Sequence, residues 1–521
     1  MLDVLCEKTG YDPAEIEYDF ELEADLGVDT VKQAEILADV RDKWGLAKDE
    51  DFRFSEYPTL ERLADYVEER FDEGAFAEDG GQTAEDGRTN AATDAKETSA
   101  SSVNADRRTA ARETRGPESV DIEGDDTWKV AGGRAKDRDE IERHDIPASV
   151  SISGSALGLP GLDDVFDEEA VERLLEGDNF ISQLPEEVRE SIVDKSITRL
   201  QKHDDGGGEL VEVSDVEEVI QLAARSGDFD LGEEWDVPTR LTEALDKTSQ
   251  LAFAAGLEAL RDAGLPLVPQ YRETTSGKKI TDGWKLPDEV GDETGLIFAT
   301  AFAGQDAFAE ELESYYTDED YEFNHRLLLR MLGIANSRFA EYVGARGPNT
   351  KINNACASTT TALGIAQDWI EQGRCERVVV LSADDATGEN MMEWVGSGFL
   401  ATGAASTEED VEDAALPFDK RRDGMIVGMG AVGLVVEEDG LPEQRGVEPL
   451  ADLMSTHFVN SAHHPTRLDV DHIAGQVGDM LGDVEEDFEL DREEIAPNTV
   501  FVSHETYTPA RGGSADAEIS A

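Results

Sequence analysis

Cys356 is the residue of this sequence best equipped for covalent chemistry. It lies in Asn354-Ala355-Cys356-Ala357-Ser358-Thr359, between a strand-like Lys351-Ile352-Asn353 and a helix-like run from Thr359 to Ile370. That pattern predicts a thiol at a strand-to-helix turn, at the positive end of a helix. Such a place lowers the thiol pKa and enriches the thiolate nucleophile. The small neighbours Ala355, Ala357 and Ser358 leave room for a reacting group to approach the backbone. Taken alone, Cys356 would read as a structural cysteine, because cysteine is among the most buried residue types. Cys375, in Gly373-Arg374-Cys375-Glu376-Arg377, has no partner motif. His504 follows a strand-like Val500-Phe501-Val502 and precedes Thr506 and Thr508; without that pair it would read as a surface histidine. His463 and His464 read as solvated loop residues.

The elements that must hold these groups follow from periodicity. From about Ile146 the pattern is α/β. Val150-Ser151-Ile152-Ser153-Gly154 predicts a first strand ending in a glycine turn. Ser249 to Ala263 predicts an amphipathic helix closed by Gly264 and Pro266. Gly295 to Thr300 and Val378 to Ser382 are candidate buried strands. Strands alternating with helices imply a layered sheet with helices on its faces. Residues 1–73 differ: Val31, Ala34, Ile36, Leu37 and Val40 recur at helical spacing, and Leu60, Leu63 and Val67 follow a break at Pro58. Between them, residues 74–145 lose almost all large apolar side chains and read as a disordered acidic linker. The expected organisation is therefore 1–73, a small all-α bundle; 74–145, linker; and 146–521, an α/β domain.

Gly428-Met429-Gly430-Ala431-Val432-Gly433 satisfies the G-x-G-x-x-G pattern of dinucleotide sites. That pattern requires a strand before it and a helix after it. Here Leu434-Val435-Val436 follows, which reads as a strand, so no nicotinamide cofactor is expected.

The chain has 118 acidic and 46 basic residues and a formal net charge of −72. No basic face survives that balance, which excludes nucleic-acid binding through phosphate contacts and disfavours anionic membranes. No run reaches the roughly 18 apolar residues of a membrane span. Three scattered cysteines suit neither a disulfide framework nor a zinc cluster, and no metal is expected. The start of the chain lacks the features of a signal peptide, so a cytoplasmic protein is expected. The carboxylates are spread along the whole chain, with only 15 Lys beside 31 Arg. This reads as adaptation to a high-salt cytoplasm, where screening makes self-repulsion tolerable.

Two resemblances sharpen these expectations. Asp25-Leu26-Gly27-Val28-Asp29-Thr30-Val31-Lys32-Gln33-Ala34-Glu35-Ile36, followed by Tyr57-Pro58-Thr59-Leu60, resembles an acyl carrier protein domain, especially the polyunsaturated fatty acid synthase type. Carriers esterify a serine at the start of the second helix with phosphopantetheine. Thr30 stands at that position, where a helix N-terminus suits a phosphodiester but a β-methyl crowds the hydroxyl. Its other reading is an N-cap.

Residues 146–521 resemble a β-ketoacyl synthase of the thiolase fold. The matching blocks are Asp246 to Gly264, Asn336 to Pro348, the Cys356 turn, Pro417-Phe418-Asp419 with Arg422-Asp423-Gly424, and His504-Glu505-Thr506-Tyr507-Thr508. The last falls where the family has His-Gly-Thr-Gly-Thr, so Glu505 and Tyr507 replace both glycines.

The resemblance implies decarboxylative Claisen condensation in fatty-acid or polyketide synthesis. Cys356 would be the nucleophile and His504 a catalytic histidine, with Thr506 and Thr508 touching pantetheine. The implied partners are acyl and malonyl groups on acyl carrier proteins, other synthase subunits and a second copy in a homodimer. Phosphopantetheine would sit on Thr30 or arrive on a partner carrier. A lysine, a second histidine in a Gly-His loop and a Gly-Phe-Gly turn of such relatives do not occur after Thr508, so an incomplete second half is expected, inactive alone. The alternatives are a thiolase-like enzyme using coenzyme A thioesters and a non-condensing scaffold subunit.

Overall fold

The computed structural model describes residues 2–72, except 10–15, 17, 19, 23–25, 27, 29, 47–48, 50–51 and 53–56. It also describes residues 150–508, except 163, 168, 203–207, 228, 274–276, 278, 319–320, 389–390, 464–467 and 506. The predicted linker, His464 and Thr506 lie outside the described residues. The chain divides into two compact units, the smaller containing the N-terminal helices.

In the smaller unit α1 spans Leu2–Thr9, α2 Thr30–Trp44 and α3 Leu60–Asp72. Ile36, Leu37 and Val40 of α2 meet Leu60 and Leu63 of α3 in one apolar cluster with Val4, Leu5 and Phe20. The spacing that predicted two helices is thus the spacing that makes their common core. Tyr66 closes one side of it; burial, then a hydrogen bond to Asp49, pushes its phenol up to about 12.

The larger unit is built on one mixed sheet. Its main elements are β1 (Val150–Gly158), α4 (Lys247–Asp262), β2 (Thr294–Ala299), α5 (Gln305–Thr317), α6 (Ala335–Val343), β3 (Asn349–Ile352), α7 (Ser358–Glu371), β4 (Arg377–Asp385), β5 (Val427–Glu438), β6 (Ala451–Leu453) and α8 (Val470–Asp487). The principal strand order is β6-β1-β5-β4-β2-β3. β4, β2 and β3 are mutually parallel, and β5 runs antiparallel to both β4 and β1. Helix α7 packs on one face, where Ala362, Ala366 and Ile370 cover Ile297, Val378 and Val380. Helix α4 covers the other face, against β1, β4 and β5.

Three expectations change here. The first strand does not end at Gly154 but continues to Gly158. Gly154 is needed for packing: a Cβ there would lie 2.4 Å from the carbonyl oxygen of Ala259 in α4. Helix α4 is not amphipathic but buried on nearly every side. The sheet covers one side of it, and Phe339 and Tyr342 of α6 pack edge-on against its Phe253 on another. Val500-Phe501-Val502 is not a strand. These residues are 86, 57 and 87 % exposed, with no neighbouring strand among the described residues to pair with them.

The glycine-rich decoy is explained by the same packing. Gly428, Gly430 and Gly433 all lie inside β5. A Cβ on Gly433 would fall 2.0 Å from the carbonyl oxygen of Ala255 in α4, so glycine lets strand and helix touch. At the end of the sheet where β2 and β4 begin and β5 finishes, Glu437 is fully buried. It pairs with Arg377 at 3.0 Å and with Arg445, and accepts a hydrogen bond from Ser153. Burial opposes its charge, but Arg445 and Arg377 outweigh that and hold the carboxyl below its usual range.

Candidate active site

The site lies where β2, β3 and β4 end. β3 stops at Ile352, the chain turns through 353–357, and α7 begins at Ser358. Ala355 is forced into the left-handed region, φ 49°, a costly conformation for a residue with a Cβ. Both of its polar groups are held. Its N–H donates to Asn353 Oδ1 at 3.1 Å, and its carbonyl accepts from Ser358 Oγ at 2.6 Å. Ser358 Oγ also accepts from the N–H of Asn354 at 2.9 Å, and Asn354 Nδ2 reaches Thr361 Oγ1 at 3.0 Å. The result is a tight turn that presents Cys356, exposed, just ahead of the first helical residue. No acidic residue occupies the first turn of α7, so no carboxylate of that turn offsets the positive helix end. Thr359 Oγ1 bonds Ser382 Oγ at 2.7 Å and ties the helix start to β4.

A second loop, Thr300 to Gly304, leaves β2 beside this turn. Asp384, at the end of β4, accepts from the Thr300 hydroxyl at 2.8 Å and from the N–H groups of Ala301 (3.0 Å) and Phe302 (2.8 Å). Burial nonetheless raises the Asp384 pKa, against these donors. The fully buried Asp246 takes the N–H of Gly304 at 3.0 Å and the hydroxyl of Ser249. Burial, then the nearby Asp246 charge, pushes Asp306 in α5 up to about 6. Lys351 faces the same acids; burial lowers its pKa, while Asp246 and Asp384 act to raise it. None of Ser358, Asp384 or Asp246 was singled out from sequence for this structural work. A polar residue at a strand end (Asp384) or at a helix start (Asp246, Ser358) is the signal that could have found them.

The other predicted residues are placed as follows. His504 is exposed in an irregular segment. The side chain of its neighbour Glu505 is only 4 % exposed and pairs with Arg422 at 3.4 Å, which joins the His504 block to the Arg422-Asp423-Gly424 block. Tyr507, where the family has glycine, adopts φ 61°, a conformation glycine takes freely. Thr508 is buried and His463 exposed. Cys375 is buried in the core beneath α7, and no disulfide links the three cysteines. Thr30 belongs to the smaller unit and opens the 15-residue α2, whose first turn carries no acid. No group of three or more His, Cys, Asp or Glu among the described residues could hold a metal ion. No helix among them is long and apolar enough to cross a membrane.

Residues 148–440 match the family model for the β-ketoacyl synthase N-terminal domain, and residues 1–67 that for the phosphopantetheine attachment site. The chain belongs to the β-ketoacyl synthase family. It is 25% identical over 249 residues to 3-oxoacyl-[acyl-carrier-protein] synthase 2 of Staphylococcus aureus, covering 47% of this chain and 54% of that one. It thus spans about half the length of the curated relatives it matches. Among solved structures, the ishigamide ketosynthase/chain length factor aligns with TM-score 0.52 and 23% identity over 71% of this chain and 77% of that one. A type II polyketide synthase acyl carrier protein in complex with its ketosynthase aligns with TM-score 0.51 and 21% identity, covering 72% and 77%. These two likenesses establish the thiolase-like fold.

Proposed function

We propose that the chain is a β-ketoacyl-[acyl carrier protein] synthase unit fused to a carrier domain, organised as 1–73, 74–145 and 146–521. The Cys356 thiolate attacks the carbonyl carbon of an acyl thioester, the carrier thiol leaves, and an acyl-enzyme forms. A malonyl thioester then loses carbon dioxide. Its carbanion attacks the Cys356 thioester, which frees the thiolate and yields the β-ketoacyl product. His504 stabilises the enolate oxygen, and the Cys356 N–H supplies one oxyanion donor. Thr506 and Thr508 would contact the pantetheine arm. One observation carries this reading: an exposed thiol on a strained turn at an acid-free helix start.

Incubation with an acyl-pantetheine thioester, followed by intact-mass analysis and peptide mapping, tests it. An acyl adduct on Cys356, absent in Cys356→Ala, is expected. No adduct in the native protein would overturn the assignment and favour the non-condensing scaffold, a reading supported by Glu505 and by Tyr507 at positive φ.

Phosphopantetheine bound at Thr30 would supply a thiol for carrying acyl groups. A hydroxyl residue opening an acid-free helix start fits that attachment. Two features support a homodimer. β3 is an unpaired sheet edge among the described residues, and α5 exposes Phe308, Leu312, Tyr315 and Tyr316. The dispersed negative charge supports a cytoplasm of high ionic strength.

A further inference from the structure

We propose that Asn353 and Asp384 are positioning residues for Cys356, acting through the Thr300–Gly304 loop. The inference rests on the reading of Cys356 as the nucleophile. The relay is continuous. Asp384 collects one hydroxyl and two N–H donors from Thr300, Ala301 and Phe302. The Ala301 carbonyl, flanked by those two engaged N–H groups, accepts from Asn353 Nδ2 at 3.1 Å and from Gln305 Nε2 at 3.3 Å. The opposite end of the same amide, Oδ1, accepts the N–H of Ala355. A single side chain therefore spans from the loop to the strained residue that precedes the thiol. Only one amide orientation satisfies both bonds.

The arrangement answers a physical need. A left-handed alanine is strained and persists only where its surroundings over-determine it. Ser358 holds the carbonyl side of Ala355, and Asn353 holds the N–H side. Without Asn353 the peptide ahead of Cys356 can rotate, and the thiol leaves its place beside the start of α7. Both oxygens of Asp384 are engaged by loop donors, so its role here is to hold the loop. It acts by fixing where Ala301 points.

The experiment is iodoacetamide alkylation of the full chain across pH, read by peptide mapping, with Cys375 as an internal control. Cys375 is 1 % exposed and reacts only if the larger unit opens. Asn353 is exposed, so Asn353→Ala leaves the fold intact. It is expected to slow Cys356 alkylation at neutral pH on the order of tenfold and to move its half-maximal pH up by about one unit. Asp384→Ala produces the same change. The double variant is no worse than Asn353→Ala alone, because the two sites act in series.

A purely structural role for Asp384 would instead add to the effect of Asn353→Ala. An unchanged Cys356 profile in Asn353→Ala, or additive effects in the double variant, overturns the proposal. If Asp384→Ala exposes Cys375, Thr300→Val withdraws one donor from the same carboxylate and takes its place under the same criteria. If native Cys356 is not the fastest of the three cysteines, the nucleophile assignment itself fails. If it is the fastest but indifferent to Asn353, only this inference fails.

Discussion

Asp306 stands in the first turn of α5 with its carboxylate accepting the N–H of Ala307 at 2.7 Å. Burial and the neighbouring Asp246 push its pKa from 3.8 to about 6. The folded state thus favours the neutral acid, while the unfolded chain ionises near 3.8. The native state is therefore progressively penalised as pH rises through that window, and fully penalised above it. That displacement corresponds to roughly 3 kcal/mol above about pH 7, and to roughly half of that at about pH 5. Asp306→Asn removes the titration and keeps an oxygen for the Ala307 N–H. Loss of a favourable charge at the helix start returns about 0.5 kcal/mol of the gain. The variant should be more stable than native protein by about 2 kcal/mol at about pH 8, with the advantage shrinking by about 1 kcal/mol towards about pH 5. Urea unfolding of the larger unit, followed by Cys375 labelling at both pH values in high salt, measures this. An Asn variant that destabilises equally at both would show that Asp306 is ionised without penalty and that the acid pair is not strained.

Four further outcomes are expected. Arg377→Met leaves the buried Glu437 with Arg445 and Ser153 only, and should cost about 3 kcal/mol in the same unfolding assay, since removing one partner strands a buried charge. Gly433→Ala should cost about 3 kcal/mol through collision with Ala255, whereas Gly430→Ala, whose Cβ meets nothing within 4 Å, should be nearly neutral in parallel melts. Thr30→Ser should accept phosphopantetheine on the order of tenfold faster than the native threonine in a transferase assay read by intact mass, because the β-methyl restricts the attacking hydroxyl. Thermal melts across a potassium chloride series should show a midpoint rising towards molar salt, as screening relieves the repulsion among −72 net charges.

What sequence could show here depended on the range of the cause. Cys356 was readable because its strand, turn and helix are contiguous, and local propensity alone places a thiol at the helix start. The burial of β2 and the common core of α2 and α3 were readable for the same reason: an unbroken apolar run in the one and a roughly 3.6-residue period in the others, each within one segment. Asp384 was not, since its function depends on donors more than 80 residues away, from Thr300 to Phe302. Gly154 looked like a turn because glycine usually marks one; the need for it comes from α4, about a hundred residues later. Val500-Phe501-Val502 has the composition of a strand, but a strand exists only by pairing, and composition does not supply the partner.

The sheet order has a kinetic consequence. Among the described residues β1 is flanked by β5 and β6 alone, and its bond from Ser151 to Asp439 joins residues 288 apart. During synthesis, β2, β3 and β4 can associate as a parallel core once Asp385 has emerged. The first strand must wait until β5 is complete, since β5 lies between it and that core. For that interval the apolar flank of β4 and the buried faces of α4 remain open. Closing a loop of this length is slow, and its slowness grows from topology rather than from any weakness of the final contacts. Mutations that delay the docking of β5 should therefore lower soluble yield well before they lower the stability of molecules that do fold.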